Sequence, residues 1–170
     1  VNEIEYTILH EYFKNIRIAS DQLLSVINDV LDLSKIESGK MHINNNIFNI
    51  YELFEYCETI FTTYAQDSGI SLTFHYDTEI PEQLFGDSFH LRQIILNMIS
   101  NSLKFTESGG QVGFTADAIN KSSQKIEMQF VVWDTGIGMS EEFLEKLFDP
   151  FEQEEAYINR THQGTGLGLA

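Results

Sequence analysis

The sequence predicts an α+β fold: a two-layer α/β sandwich, with a mixed sheet carrying helices on one face, preceded by a long bundle helix. Three observations carry this prediction. Apolar residues recur at alternating steps of three and four through the N-terminal segment, and the same helical spacing returns in two later stretches. Between and after those stretches lie segments in which apolar and polar residues alternate. Their connections include both short polar turns and longer, helix-bearing crossovers, the pattern of a mixed sheet.

In the first segment, Leu9, Tyr12, Ile16, Ala19, Leu23, Val26, Val30 and Leu33 form a continuous seam, widened by Ile27 and Leu31. This suits a bundle helix better than a narrow zipper. Gly39 is the expected stop after Ile36. Such a seam needs a partner, either the following domain or another chain. Met41, Ile43, Ile47, Phe48 and Ile50 then suggest an extended segment, broken by three asparagines at 44–46. Residues 51–66 read as a helix through Leu53, Phe54, Cys57, Ile60, Phe61 and Tyr64. Ile70, Leu72, Phe74 and Tyr76 alternate with polar neighbours as a half-buried strand.

Pro81 and Gly86 mark turns, and Asp87 is placed to cap a helix running to about Phe105. That helix has Leu91, Ile94, Ile95, Met98, Ile99 and Leu103 on its apolar face. Residues 112–119 and 126–132 read as two antiparallel strands. A glycine loop follows at 134–139, and Ser140 opens a short helix over 143–148.

The composition excludes several functions. Of the 170 residues, 26 are acidic and 10 are Lys or Arg, a formal charge of −16. That field repels nucleic acid and anionic membrane surfaces. Cys57 is the only cysteine, so there is no internal disulfide and no thiolate zinc site. No apolar run is long enough to span a membrane. The chain reads as soluble and suited to a reducing compartment.

Three motifs carry possible chemistry. Asp134-Thr135-Gly136-Ile137-Gly138 follows a strand, where glycines let the backbone approach a ligand closely. Alone it reads equally well as a plain turn. Gly164-Thr165-Gly166-Leu167-Gly168 exposes backbone N–H groups and one hydroxyl. It lacks the P-loop lysine and the strand that feeds a dinucleotide fingerprint. A flexible linker is its bland reading. Asn97 and Asn101 lie one turn apart on one helix face, with Lys104 nearby. Asparagine is a poor helix-interior residue, and its carbonyl oxygen is a good ligand for a divalent cation. Incidental exposure is the alternative.

Taken in order, these elements resemble the ATP-binding domain of sensor histidine kinases, the Bergerat-fold ATPases. Residues 97–106 are similar to the family's asparagine motif, 134–138 to its first glycine motif, Phe148-Asp149-Pro150-Phe151 to its phenylalanine motif, and 164–170 to its second glycine motif. Residues 27–37 resemble the end of the second dimerization helix, especially that of hybrid kinases.

The resemblance implies the following roles. Asp134 accepts the adenine amino group, and Gly136 and Gly138 let the loop hug the nucleotide. Asn101 ligates Mg²⁺ with support from Asn97, Lys104 meets phosphate, and Phe105 packs near adenine. Residues 150–163 form a mobile lid in which Arg160, and also His162, reaches phosphate. Gly164, Thr165, Gly166, Leu167 and Gly168 bind the phosphate chain. The related gyrase-like, chaperone and mismatch-repair ATPases carry a glutamate where Asn97 stands. An amide is a poor base for activating water, so transfer to histidine is expected rather than rapid hydrolysis.

On this resemblance residues 1–38 are the second helix of an incomplete dimerization hairpin, and 39–170 the catalytic domain, with the C-terminal part of its fold missing. The expected partners are ATP, a second copy through the N-terminal helix, and a response regulator receiver domain; the expected location is cytoplasmic. His10-Glu11 lacks the arginine and proline of the phosphoacceptor motif, and only 22 positions separate His10 from Asp32 on one helix. The phosphoacceptor is therefore expected outside this chain. Two other functions compete: a dimerization and nucleotide-sensing module without catalysis, and a Bergerat ATPase that hydrolyses ATP to drive a conformational cycle.

Overall fold

The N-terminal seam forms one uninterrupted helix, α1 (Glu3–Glu37). It ends where Lys40 N–H returns to the Lys35 carbonyl at 2.8 Å, beyond Gly39. This computed structural model describes residues 3–122, 124–153, 166 and 169. The chain divides into two compact units, one of residues 1–42 with 146–170 and one of residues 43–145. In the first unit, the seam residues Leu9, Tyr12, Ile16, Leu23 and Val30 are exposed, as are Leu24, Ile27 and Leu31 beside them. Among the described residues no helix is long and apolar enough to cross a membrane.

The second unit contains β1 (Asn46–Asn49), α2 (Ile50–Ser68), β2 (Ser71–Tyr76), β3 (Gln83–Gly86), α3 (Ser88–Phe105), β4 (Gln111–Lys121), β5 (Ile126–Asp134) and α4 (Glu141–Leu144). Strands β2, β4 and β5 form a mixed sheet in that order. β2 runs parallel to β4, while β4 and β5 pair antiparallel with a bulge between Ala118 and Asn120. A parallel pair needs a crossover connection, and here it contains β3 and α3. β1 and β3 form a separate antiparallel ribbon.

Side-chain capping fixes where the two main helices start. Asn49 accepts the Tyr51 N–H at 2.9 Å, and Asp87 accepts those of Phe89 and His90 at 3.1 Å. Both satisfy donors that have no partner inside the helix. The core lies between α2, α3 and one face of the mixed sheet. Leu53, Phe54, Cys57 and Phe61 come from α2, Ile95, Ile99 and Leu103 from α3, and Val112, Phe114 and Ala116 from β4. Burying each large apolar side chain contributes about 1.5–3 kcal/mol. Phe54 stacks on Tyr76 with centroids 4.5 Å apart, and Phe114 stacks on Phe130 at 6.2 Å. Burial pushes the Cys57 thiol up to about 11, which makes it an inert core residue rather than a nucleophile.

Three expectations need correction. The extended segment after Gly39 is regular only over Asn46–Asn49. Its partner β3 was not anticipated, because Gln83–Gly86 is four residues long with Phe85 exposed and gives little alternation to read. The helix expected over 143–148 is regular only over Glu141–Leu144 and continues as turns. It has no buried residue, so no tertiary packing extends it.

Candidate functional site

At about 3.6 residues per turn, Asn97, Asn101 and Lys104 fall on the side of α3 opposite Ile95, Ile99 and Leu103. The three aliphatic residues are buried in the core and the three polar ones are half-buried. A packed helix thus holds a polar stripe in a partly desolvated setting. Burial holds the Lys104 ammonium below its usual range. Its Nζ lies 5.0 Å from the centre of the Phe105 ring, a cation–π contact. An anion nearby would offset this desolvation.

The loop after β5 is fastened to the end of this helix. Ile137 donates its N–H to the Phe105 carbonyl at 3.3 Å. A Cβ on Gly136 would run into that same carbonyl, so the loop lies directly against the helix terminus. Asp134 Oδ1 accepts the Gly136 N–H at 2.9 Å, which folds the loop back on its own first residue. Gly138 has φ +69°, open space around it and an exposed surface.

Thr135 braces the loop from the other side. Its N–H goes to the Gln111 carbonyl at 3.0 Å, and its Oγ1 accepts the Gln111 N–H at 2.9 Å. The sequence reading missed this brace. The only signal for it was a hydroxyl residue next to Asp134. Thr106, at the C-cap of α3, is buried and returns its hydroxyl to the Ser102 carbonyl at 2.7 Å.

One end of the mixed sheet therefore gathers the C-terminus of α3, the start of β4 and the end of β5. Asn101, Lys104, Phe105, Asp134 and Gly136 all belong to that end. Among the described residues no three His, Cys, Asp or Glu side chains gather as a metal centre. A hard cation there would instead rely on amide oxygens together with the oxygens of its ligand.

Gly166 belongs to the other unit, where its carbonyl accepts the Phe151 N–H at 2.9 Å. His10 is exposed on α1. Arg160, His162, Gly164, Thr165, Leu167 and Gly168 lie outside the described residues.

Comparison with known proteins agrees with this arrangement. Residues 86–170 match the family described as "Histidine kinase-, DNA gyrase B-, and HSP90-like ATPase". The chain is 35% identical to the signal transduction histidine-protein kinase BarA of Escherichia coli K12 over 94% of its own length and 17% of BarA. It is 39% identical to the autoinducer 2 sensor kinase/phosphatase LuxQ of Vibrio vulnificus YJ016 over 89% of its length and 18% of LuxQ. The chain thus spans less than a fifth of these relatives. Among solved structures, full-length ShkA in complex with AMPPNP superposes with a TM-score of 0.75 at 30% identity, over 94% of this chain and 32% of ShkA. The chain belongs to the histidine kinase-, DNA gyrase B- and HSP90-like ATPase family, and within it is homologous to the ATP-binding catalytic domains of two-component sensor kinases.

Proposed function

We propose that the chain binds Mg²⁺-ATP at this end of the sheet and presents the γ-phosphoryl group to a histidine that lies outside the chain. The observation that supports it most is the junction of Ile137 N–H with the Phe105 carbonyl, which ties the Asp134 loop to the asparagine helix. Asp134 has a second carboxylate oxygen to accept the adenine amino group while Oδ1 holds Gly136. Asn101, supported by Asn97, would hold the cation through side-chain carbonyls. A cation held there would supply positive charge to the phosphates. Lys104 would meet the same phosphates as a partly desolvated point charge.

In the transfer, an imidazole nitrogen of the acceptor forms a bond to the γ-phosphorus. The bond from that phosphorus to the bridging oxygen breaks, and ADP leaves with the electron pair. Position 97 carries an amide, which does not take a proton from water. The site therefore favours delivery to histidine over hydrolysis.

The assignments of Arg160, Gly164, Thr165, Gly166, Leu167 and Gly168 to the phosphates rest on the family resemblance. So does the division into a dimerization helix (1–38) and a catalytic domain (39–170). The exposed stripe on α1 suits a second copy of the chain, and a response regulator receiver domain is the proposed downstream partner. Use of ATP and a single cysteine both fit the cytoplasm.

Calorimetry with AMPPNP, with and without Mg²⁺, tests the proposal. Asp134→Asn should keep the loop bond to Gly136 yet weaken adenine nucleotides by roughly ten- to a hundredfold, the worth of a hydrogen bond to a charged group. Equal affinity in both proteins would refute the assignment. Labelled ATP should place its label on a supplied histidine-bearing helix; steady phosphate release instead would favour hydrolysis.

A further inference from the structure

The polar face of α3 carries Gln93 one turn before Asn97. Gln93 Oε1 is buried and has no hydrogen-bond partner, the one such side-chain atom found among the described residues. A buried acceptor without a donor disfavours the state that contains it, so it points to a partner supplied in another state. Residues four apart on a helix stand one above the other, with Cβ atoms about 5–6 Å apart. Gln93 therefore lies within side-chain reach of the Asn97 carboxamide.

We infer that Gln93 is a positioning residue whose Oε1 accepts a hydrogen bond from Asn97 Nδ2 when nucleotide and cation are bound. This rests on the nucleotide reading of Asn97 and Asn101. A carboxamide has an acceptor end and a donor end, and the two differ little in shape. Toward a cation only the carbonyl end is attractive; the amino end repels it. An acceptor fixed behind Asn97 selects the flip that turns Oδ1 to the cation. The Gln93 carbonyl is suited to this because its desolvation is already complete in the ligand-free protein, so forming the new bond requires no further removal of water.

A double-mutant cycle on the whole chain tests this, read by calorimetry with Mg²⁺-AMPPNP and by thermal melting. Gln93→Met removes the acceptor at similar length. It should weaken Mg²⁺-AMPPNP about tenfold, in line with the loss of one hydrogen bond in a desolvated site. It should leave adenosine binding unchanged and melt at or above the wild-type temperature, since an unpartnered polar atom is replaced by an apolar one. In an Asn97→Ala background the same change should have no further effect on affinity. Gln93→Glu keeps an acceptor and should bind within about threefold of wild type; it also serves if the methionine variant does not fold. Wild-type affinity in Gln93→Met, an undiminished effect without Asn97, or a large loss in Gln93→Glu would each overturn the inference. Failure of the wild-type chain to bind Mg²⁺-AMPPNP would instead overturn the nucleotide reading itself, and this inference with it.

Discussion

Gly136 and Phe105 meet so closely that the carbonyl at the end of α3 occupies the space a Cβ at position 136 would need. The contact joins two segments that lie 31 residues apart in sequence. Gly136→Ala should therefore move the loop away from the helix. Overpacking of this kind costs about 1–3 kcal/mol, and AMPPNP affinity should fall along with thermal stability. Gly138→Ala is the comparison for stability. Its backbone is left-handed but its surroundings are open, so the cost should be about 1–2 kcal/mol of backbone strain with no clash against α3. If calorimetry gives Gly136→Ala the wild-type affinity, the contact does not organise the site.

Asp87 is nearly buried and accepts four bonds. Oδ1 takes the Phe89 and His90 N–H groups, while Oδ2 takes the Asn44 N–H and His90 Nδ1, both at 2.7 Å. The Asn44 N–H above all, then the backbone and side chain of His90, hold its carboxyl down to about 2. A depressed pKa stabilises the fold above the ordinary aspartate value of 3.8 and loses that contribution as pH falls toward about 2. Acid unfolding should therefore be blunted in Asp87→Asn, which keeps a helix cap but has no charge to lose. Asp87→Ala should melt lower than Asp87→Asn at pH 7, because it loses the cap as well. Thermal melts across pH 2–7 would check both expectations.

Trp133 covers Gly113 on the neighbouring strand, and a Cβ at position 113 would enter the indole. Gly113→Ala should displace the ring and destabilise the fold by about 1–3 kcal/mol. Trp133 is the only tryptophan, so its fluorescence reports the displacement directly. An unchanged emission spectrum would contradict the contact.

Ile99 is fully buried where α3 meets the core, on the side opposite Asn97 and Asn101. Ile99→Ala should cost about 2–5 kcal/mol by leaving a cavity beneath the polar stripe. Denaturant titration measures this. Nucleotide affinity, measured below the melting temperature, should change far less than in Asp134→Asn.

The elements that follow one period were legible in the sequence. α2 and α3 bury Leu53, Phe54, Cys57, Phe61, Ile95, Ile99 and Leu103 as their spacing predicts, while Ile60, Tyr64 and Ile94, expected on the same faces, are exposed at the margins of the core; Asp87 caps the helix it precedes. The β1–β3 ribbon was not legible. Each strand has four residues, and Asn46 finds its partner at Gly86, far along the chain. Short strands specify pairing through tertiary context rather than local pattern. In the site, Asn97, Asn101, Lys104, Asp134 and Gly136 could be singled out by residue type and order. Their fastening could not, because the Phe105 carbonyl acts through the backbone and the Thr135 hydroxyl finds its partner at Gln111, a pairing that only the folded sheet brings together. Gln93 was invisible for a related reason: a single glutamine on a helix reads as solvated until its oxygen is found buried.

The β4–β5 hairpin carries its polar turn at the end of the sheet remote from Asp134. Lys121 and Ile126 pair there, while Val112 and Asp134 pair at the other end. Eleven residues of β4 put roughly 30 Å between them. The turn is stitched locally by Ser122 and Lys125. A dye, an affinity handle or a short peptide grafted beside Gln124 would ride on the same rigid ribbon without crowding the opposite rim. That gives a built-in place from which to watch ligand arrival by energy transfer.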